Sequence, residues 1–172
     1  GRYVASGARV GGLTRVDKRA ILRVWDVETG AMCPELIGHT AAVVASAFSP
    51  SGSRLASGST DGTIRVWDPL EGKNVATIAG HDGGLAVISF VTEDVLISCD
   101  IRGVVREWDW VHGRCLRSVS LDRTVRSASY SLRGNLLAIG LEDSITVFAR
   151  DPFDQRVVIQ RDDLDPGSVV LS

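Results

Sequence analysis

The sequence predicts an all-β fold built of repeated four-stranded antiparallel sheets, on three observations. Trp-Asp pairs recur at Trp25-Asp26, Trp67-Asp68 and Trp108-Asp109, spaced 42 and 41 residues, and a degraded copy at Val147-Phe148 follows 40 residues later. Gly38-His39 and Gly80-His81 stand upstream of two of these pairs, again 42 residues apart. Each period also breaks into four short apolar, β-branched runs separated by Gly, Asp, Ser and Pro, whose backbone preferences favour turns.

The clearest period places strands at about 31–38, 43–49, 54–60 and 63–68. The next places them at 74–79, 85–91, 95–100 and 104–109, and the last at 114–120, 125–131, 136–141 and 144–149. Asp61-Gly62, between two such runs, is a hairpin signal because the turn needs residues that tolerate positive φ. Ser49-Pro50-Ser51-Gly52 marks the turn before it, and no stretch has a comparable helical spacing.

Composition narrows the function classes. The chain has 172 residues, a formal charge of −2 and 23% charged residues, so nothing global draws it to nucleic acid or to an anionic membrane. No apolar run approaches the roughly 20 residues of a membrane helix, and Gly1-Arg2-Tyr3 lacks the basic-then-apolar order of a signal peptide. Cys33, Cys99 and Cys115 are odd in number, lie in apolar segments and form no Cys-x-x-Cys pair, which disfavours a disulfide framework and a zinc site. They are expected as small core residues in a reducing compartment. Asn74 and Asn135 lie outside any glycosylation motif, so the expected address is intracellular, cytoplasmic or within a nuclear or cytoskeletal complex.

The segment from Leu55 through Ser57, Asp61 and Gly62 to Trp67-Asp68 resembles the WD-repeat (WD40-type) family, and its motifs recur in one order along essentially the whole chain. The resemblance implies a WD-type β-propeller with about four blades' worth of strands. A partial blade spans 1–27, blades span about 31–69, 74–110 and 114–150, and a partial blade spans 156–172. Residues 156–162 supply an outer strand, and Val169-Val170-Leu171 begins an inner one. WD-type rings usually have seven or eight blades and this chain opens on Gly1, so the expectation is a segment of a larger ring. The alternative is a four-bladed ring closed by the two ends.

The resemblance also implies a hydrogen-bonded set of His39, Ser57, Asp61 and Trp67, with His81, Ser98 and Trp108 as its counterpart one period later. Buried indole and imidazole groups need partners, so these residues are read as structural, and a catalytic His–Ser–Asp reading is disfavoured because no nucleophile elbow is present. Arg102 stands where Asp61 would recur, so the second set is not expected to close in the same way. The last period has Phe148 for Trp and Asp122-Arg123-Thr124 for Gly-His, and the first inserts 8–19 between two strands. Such departures reflect drift or a surface re-tuned for a partner.

Binding on such a ring belongs to its loops. The expected face comprises the insertion, with Arg9, Arg15, Lys18 and Arg19, together with Thr40, Thr60, Asp82, Arg102 and Arg123. The insertion carries a local +3 charge, which suits an acidic protein surface or RNA phosphates, or is simply a solvated loop. The leading expectation is a non-catalytic scaffold for protein–protein interaction within a multisubunit complex, with no cofactor, no metal and no membrane insertion. A ubiquitin-ligase substrate receptor is one alternative, but the family's Trp-Asp-x-Arg docking signature is missing. RNA binding in a ribonucleoprotein is another, and an enzyme or small-molecule binder ranks behind both because no phosphate loop, ligand cluster or paired carboxylates stand outside the repeat.

Overall fold

Period-two alternation governs the strands: from Ala20 to Asp26 every second residue is buried, as expected of a sheet packed face to face against its neighbour. The computed structural model describes residues 1–8, 20–131, 135–142, 144–149 and 155–160, with side chains omitted for Ala8 and 155–160. Among them run fifteen strands in four antiparallel sheets, with no helix.

The first sheet holds β1 (Tyr3–Ala8), β2 (Ala20–Asp26) and β3 (Leu36–His39). The second holds β4 (Val43–Phe48), β5 (Leu55–Ser59), β6 (Thr63–Asp68) and β7 (Lys73–Ala79). The third holds β8 (Leu85–Phe90), β9 (Val95–Asp100), β10 (Val104–Asp109) and β11 (Arg114–Ser120). The fourth holds β12 (Ser127–Ser131), β13 (Leu136–Gly140), β14 (Ser144–Ala149) and β15 (Gln155–Gln160).

These boundaries correct the expected blades, which follow the sequence period. The sheets run one strand later, so that 43–79 is one sheet where 31–69 was expected. The cause is the turn after each Trp-Asp. Asp68 Oδ1 accepts the N–H groups of Leu70 and Glu71, and Gly72 takes φ +66°, which folds β7 back onto β6. Asp26 with Gly30 builds the same turn, and Asp109 with Gly113 builds it again. Each Asp is also paired with an arginine: Arg2, Arg54 and Arg114 respectively. The recurrent Asp is thus a turn cap, and the sheet acquires its outer strand from the next period. Val169-Val170-Leu171 lie outside the described residues.

Three apolar layers lie between successive sheets. Leu22, Val24 and Leu36 meet Leu55 and Trp67 in the first, Ile64 and Val66 meet Ile88 and Trp108 in the second, and Val105 and Ile97 meet Ile139 and Phe148 in the third. The cysteines depart from the expectation of uniform burial. Cys99 is buried, Cys33 is half-buried and Cys115 is exposed on the outer strand β11.

Candidate functional site

The boundary between the first two sheets is pinned by a buried polar chain. β3 ends on His39, whose Nδ1 lies 3.0 Å from Asp61 Oδ2 and whose Nε2 lies 2.8 Å from Ser57 Oγ. Trp67 Nε1–H donates to the same Ser57 oxygen at 2.8 Å. Burial pushes the His39 pKa below its usual value, with Asp61 opposing, so the ring is neutral near pH 7. Burial also works against the Asp61 carboxylate, but hydrogen bonds from the Thr63 hydroxyl, the Thr40 and Thr63 N–H groups and His39 outweigh it and hold its pKa well below the usual range. The donors therefore run one way: Trp67 N–H to Ser57, Ser57 O–H to His39 Nε2, and His39 Nδ1–H to Asp61.

The next boundary closes its set by a different route, with Arg102 standing where Asp61 would recur. His81 Nε2 lies 2.8 Å from Ser98 Oγ, which accepts Trp108 Nε1–H at 2.8 Å, and His81 Nδ1 lies 3.1 Å from Asp100 Oδ2. Asp100 sits at the position of Ser59, two residues before Arg102. Its other oxygen accepts the N–H groups of Arg102 and Val104, so one carboxylate caps the turn and holds the histidine. The signal was present in Ser98-Cys99-Asp100 against Ser57-Gly58-Ser59, but only side-chain geometry shows that a carboxylate can serve from either place.

The glycine before each histidine has a steric cause. A Cβ at Gly80 would lie 2.6 Å from Trp108 Cη2, and one at Gly38 would lie 3.2 Å from Trp67 Cη2 and 2.5 Å from Arg65 Nη1. Arg65 and Arg106 each stack over their indole, with the guanidinium carbon 5.8 Å from the ring centroid. At the third boundary the whole set changes together. Leu121, Ile139, Leu141 and Phe148 stand in one apolar cluster where His81, Ser98, Asp100 and Trp108 would recur, so the polar set is replaced as a unit.

These networks are closed to substrates. Ser57 and Ser98 have no accessible surface, so neither hydroxyl can meet a substrate carbonyl. Among the described residues no group of three or more His, Cys, Asp or Glu is placed to hold a metal ion.

The loops joining consecutive sheets and the turns between second and third strands share one face. Thr60 N–H bonds Ala42 O, Ile101 N–H bonds Gly84 O, and Val125 N–H bonds Ile101 O. Thr40, Thr60, Asp82, Arg102 and Arg123 are all exposed there. Ile101 is 48% exposed and flanks Gly83 together with Arg102. Arg126 pairs with Glu142 at 2.8 Å, and a cleft is lined by Arg123, Thr124, Leu141 and Glu142. Arg9, Arg15, Lys18 and Arg19 lie outside the described residues.

Residues 31–68 match the family model "WD domain, G-beta repeat". The chain is 36% identical over 115 residues to nuclear distribution protein PAC1 of Fusarium vanettenii, an alignment covering 60% of this chain and 26% of that protein. It is 29% identical over 144 residues to the transcriptional corepressor LEUNIG_HOMOLOG of Arabidopsis thaliana, covering 79% of this chain and 17% of that one. The chain thus spans about a quarter or less of the length of the curated relatives it matches. The WD40 domain of Toxoplasma gondii coronin superposes with a TM-score of 0.76 at 22% identity, over 92% of this chain and 43% of that one, and shows the fold. Repeating motif, sheet geometry and family match agree: this chain carries a WD repeat at residues 31–68 and has the fold of a WD40-type β-propeller.

Proposed function

We propose that this chain serves as a non-catalytic scaffold that binds other proteins through the loop face bearing Thr40, Thr60, Asp82, Arg102 and Arg123, within a larger intracellular assembly. The observation that carries the reading is the composition of that face. Exposed Ile101 sits beside Arg102, and Arg123 and Arg126 are mixed with Asp82, Asp122 and Glu142. An apolar anchor among charges of both signs suits a protein partner, since hot spots favour arginine and well-packed apolar groups. Nucleic acid would favour a one-signed basic surface. The names of the relatives, a nuclear distribution protein and a transcriptional corepressor, support the class of scaffold without choosing a complex. A segment of a longer ring remains part of this proposal, supported by the 43% share of the coronin domain that the chain covers.

The test is cross-linking mass spectrometry on the protein captured from its native source, with and without Arg102→Glu and Arg123→Glu. Loss of a reproducible partner with an unchanged Tm supports the reading. An unchanged partner set removes this face, and steep salt dependence of the lost interaction moves RNA ahead.

A further inference from the structure

Of the four tryptophans, Trp25, Trp67 and Trp108 return at the repeat period, and Trp110 is the one the repeat does not call for. It follows Trp108-Asp109 where Val27 follows Trp25-Asp26 and Pro69 follows Trp67-Asp68. Trp110 lies in the turn between β10 and β11, and because antiparallel strands alternate in direction, this turn and the β8–β9 turn stand at the strand ends away from the loop face. Its N–H bonds Asp94 O, and its indole N–H donates to Glu93 O at 2.7 Å. The ring packs on the core layer between the second and third sheets, yet the residue is only half-buried. Val111 beside it is 53% exposed, and Leu70, at the matching place in the β6–β7 turn, is 55% exposed.

A run of contacts makes the two turns parts of one surface. Asp68 accepts the Leu70 N–H and pairs with Arg54 at 3.0 Å. Next to Arg54, the Ser53 hydroxyl lies 2.9 Å from that of Ser51. Ser51 crosses to the third sheet, giving its N–H at 2.6 Å and its hydroxyl at 3.0 Å to the Glu93 carboxylate, in the same turn that holds Trp110. Charge is unbalanced here. Arg54 and Arg114 are engaged by the turn caps Asp68 and Asp109, whereas Glu71 and Asp94 are exposed and, among the described residues, have no ion-pair partner. The further cation near these turns is Lys73.

We infer that this face, opposite the loop face, is a second docking surface, centred on Trp110 and Val111, for a basic segment of a protein partner that carries Lys or Arg next to an apolar residue. A cation is attracted to an indole ring, and Asp94 meets its charge beside that ring. The apolar neighbour covers Val111 and Leu70, which no element of the described residues shields from water. Tryptophan is the residue type most enriched at binding hot spots. The excess of carboxylates repels nucleic acid, which leaves a basic protein segment as the occupant. The inference does not depend on which partners the loop face binds, and it lets two partners sit on opposite faces at once.

The probe is the capped peptide acetyl-Ala-Lys-Leu-Arg-Leu-Lys-Ala-amide, added to the isotope-labelled intact protein, beside a control in which glutamate replaces each lysine and arginine. Binding is read from the Trp110 indole N–H resonance, assigned with Trp110→Phe, and from the backbone amides of Asp94 and Val111. The basic peptide is expected to shift these resonances and the acidic one to leave them in place. Val111→Lys and Asp94→Asn, both at exposed positions, should each weaken binding about five-fold while leaving the backbone contacts that hold Trp110 intact. Unchanged affinity in both variants would reduce the effect to diffuse attraction by the net charge and overturn the inference. Shifts centred on Arg102 and Arg123 instead, or none from the basic peptide at millimolar concentration, would overturn it equally and leave the loop-face reading to its own cross-linking test.

Discussion

His81 Nδ1 lies 3.1 Å from Asp100 Oδ2, and Asp100 occupies the strand position that Ser59 holds one sheet earlier. Two different placements of a carboxylate thus reach the same imidazole. Asp100→Ala should cost about 2 to 3 kcal/mol, because it orphans a buried His N–H and two turn amides. Arg102→Ala, whose side chain is exposed, should stay within about 0.5 kcal/mol. Urea unfolding of both variants checks this, and a large loss at Arg102 would return the closing role to that position.

The two buried imidazoles set a pH dependence. Burial lowers the His39 pKa against Asp61, with Arg65 reinforcing it, and lowers that of His81 against Asp100 and Asp82, with Arg106 reinforcing it. The folded state therefore binds fewer protons than the unfolded one below the ordinary histidine pKa of about 6.5, so stability rises with pH up to that value and levels off above it. The Tm should fall as pH drops from about 7 toward 5, and His39→Gln with His81→Gln should flatten that slope. An unchanged slope in the double variant would assign the dependence to other groups.

Gly80→Ala should destabilise by about 2 kcal/mol, since the new methyl meets the rigid end of the Trp108 ring. Gly38→Ala should cost less, because its nearest obstacle is the flexible tip of Arg65. Adding Trp108→Phe to Gly80→Ala should recover part of the loss, because the shorter ring withdraws the atom that the new methyl meets. Thermal melts of the single and double variants decide it; a strictly additive pair contradicts the steric account.

Replacing the polar set at the second boundary by apolar residues, with His81→Leu, Ser98→Ala and Trp108→Phe together, should cost clearly less than the sum of the three single changes. Each single change strands a buried partner, while the triple strands mainly Asp100. Denaturant midpoints at constant m provide the comparison.

Thiol chemistry separates the cysteines. Burial, with Asp100 adding to it, pushes the Cys99 pKa up to about 12, and the residue has no accessible surface. Cys115 is exposed and should react first with a maleimide, Cys33 more slowly, and Cys99 only on unfolding. Peptide mapping after timed labelling tests the order.

The repeat, most strand positions and the residues of the first polar set were legible in the sequence because Trp, Gly-His and Asp-Gly are local signals that return at one period. Sheet membership was not, since whether 73–79 pairs backward or forward depends on a turn closed by Asp68 and Gly72 rather than on periodicity. The substitute role of Asp100 was hidden for a related reason: alignment by position marks Arg102 as a loss, while hydrogen bonding responds to where an oxygen lies. Composition could not distinguish exposed Cys115 from buried Cys99, as both follow from which sheet layer each strand face meets. The sequence by itself determined that the chain builds repeated four-stranded sheets pinned by His, Ser and Trp, because those preferences act within a few residues or one period. Tertiary structure alone decided that the pins join one sheet to the next, because burial and hydrogen-bond geometry exist only once two sheets face each other.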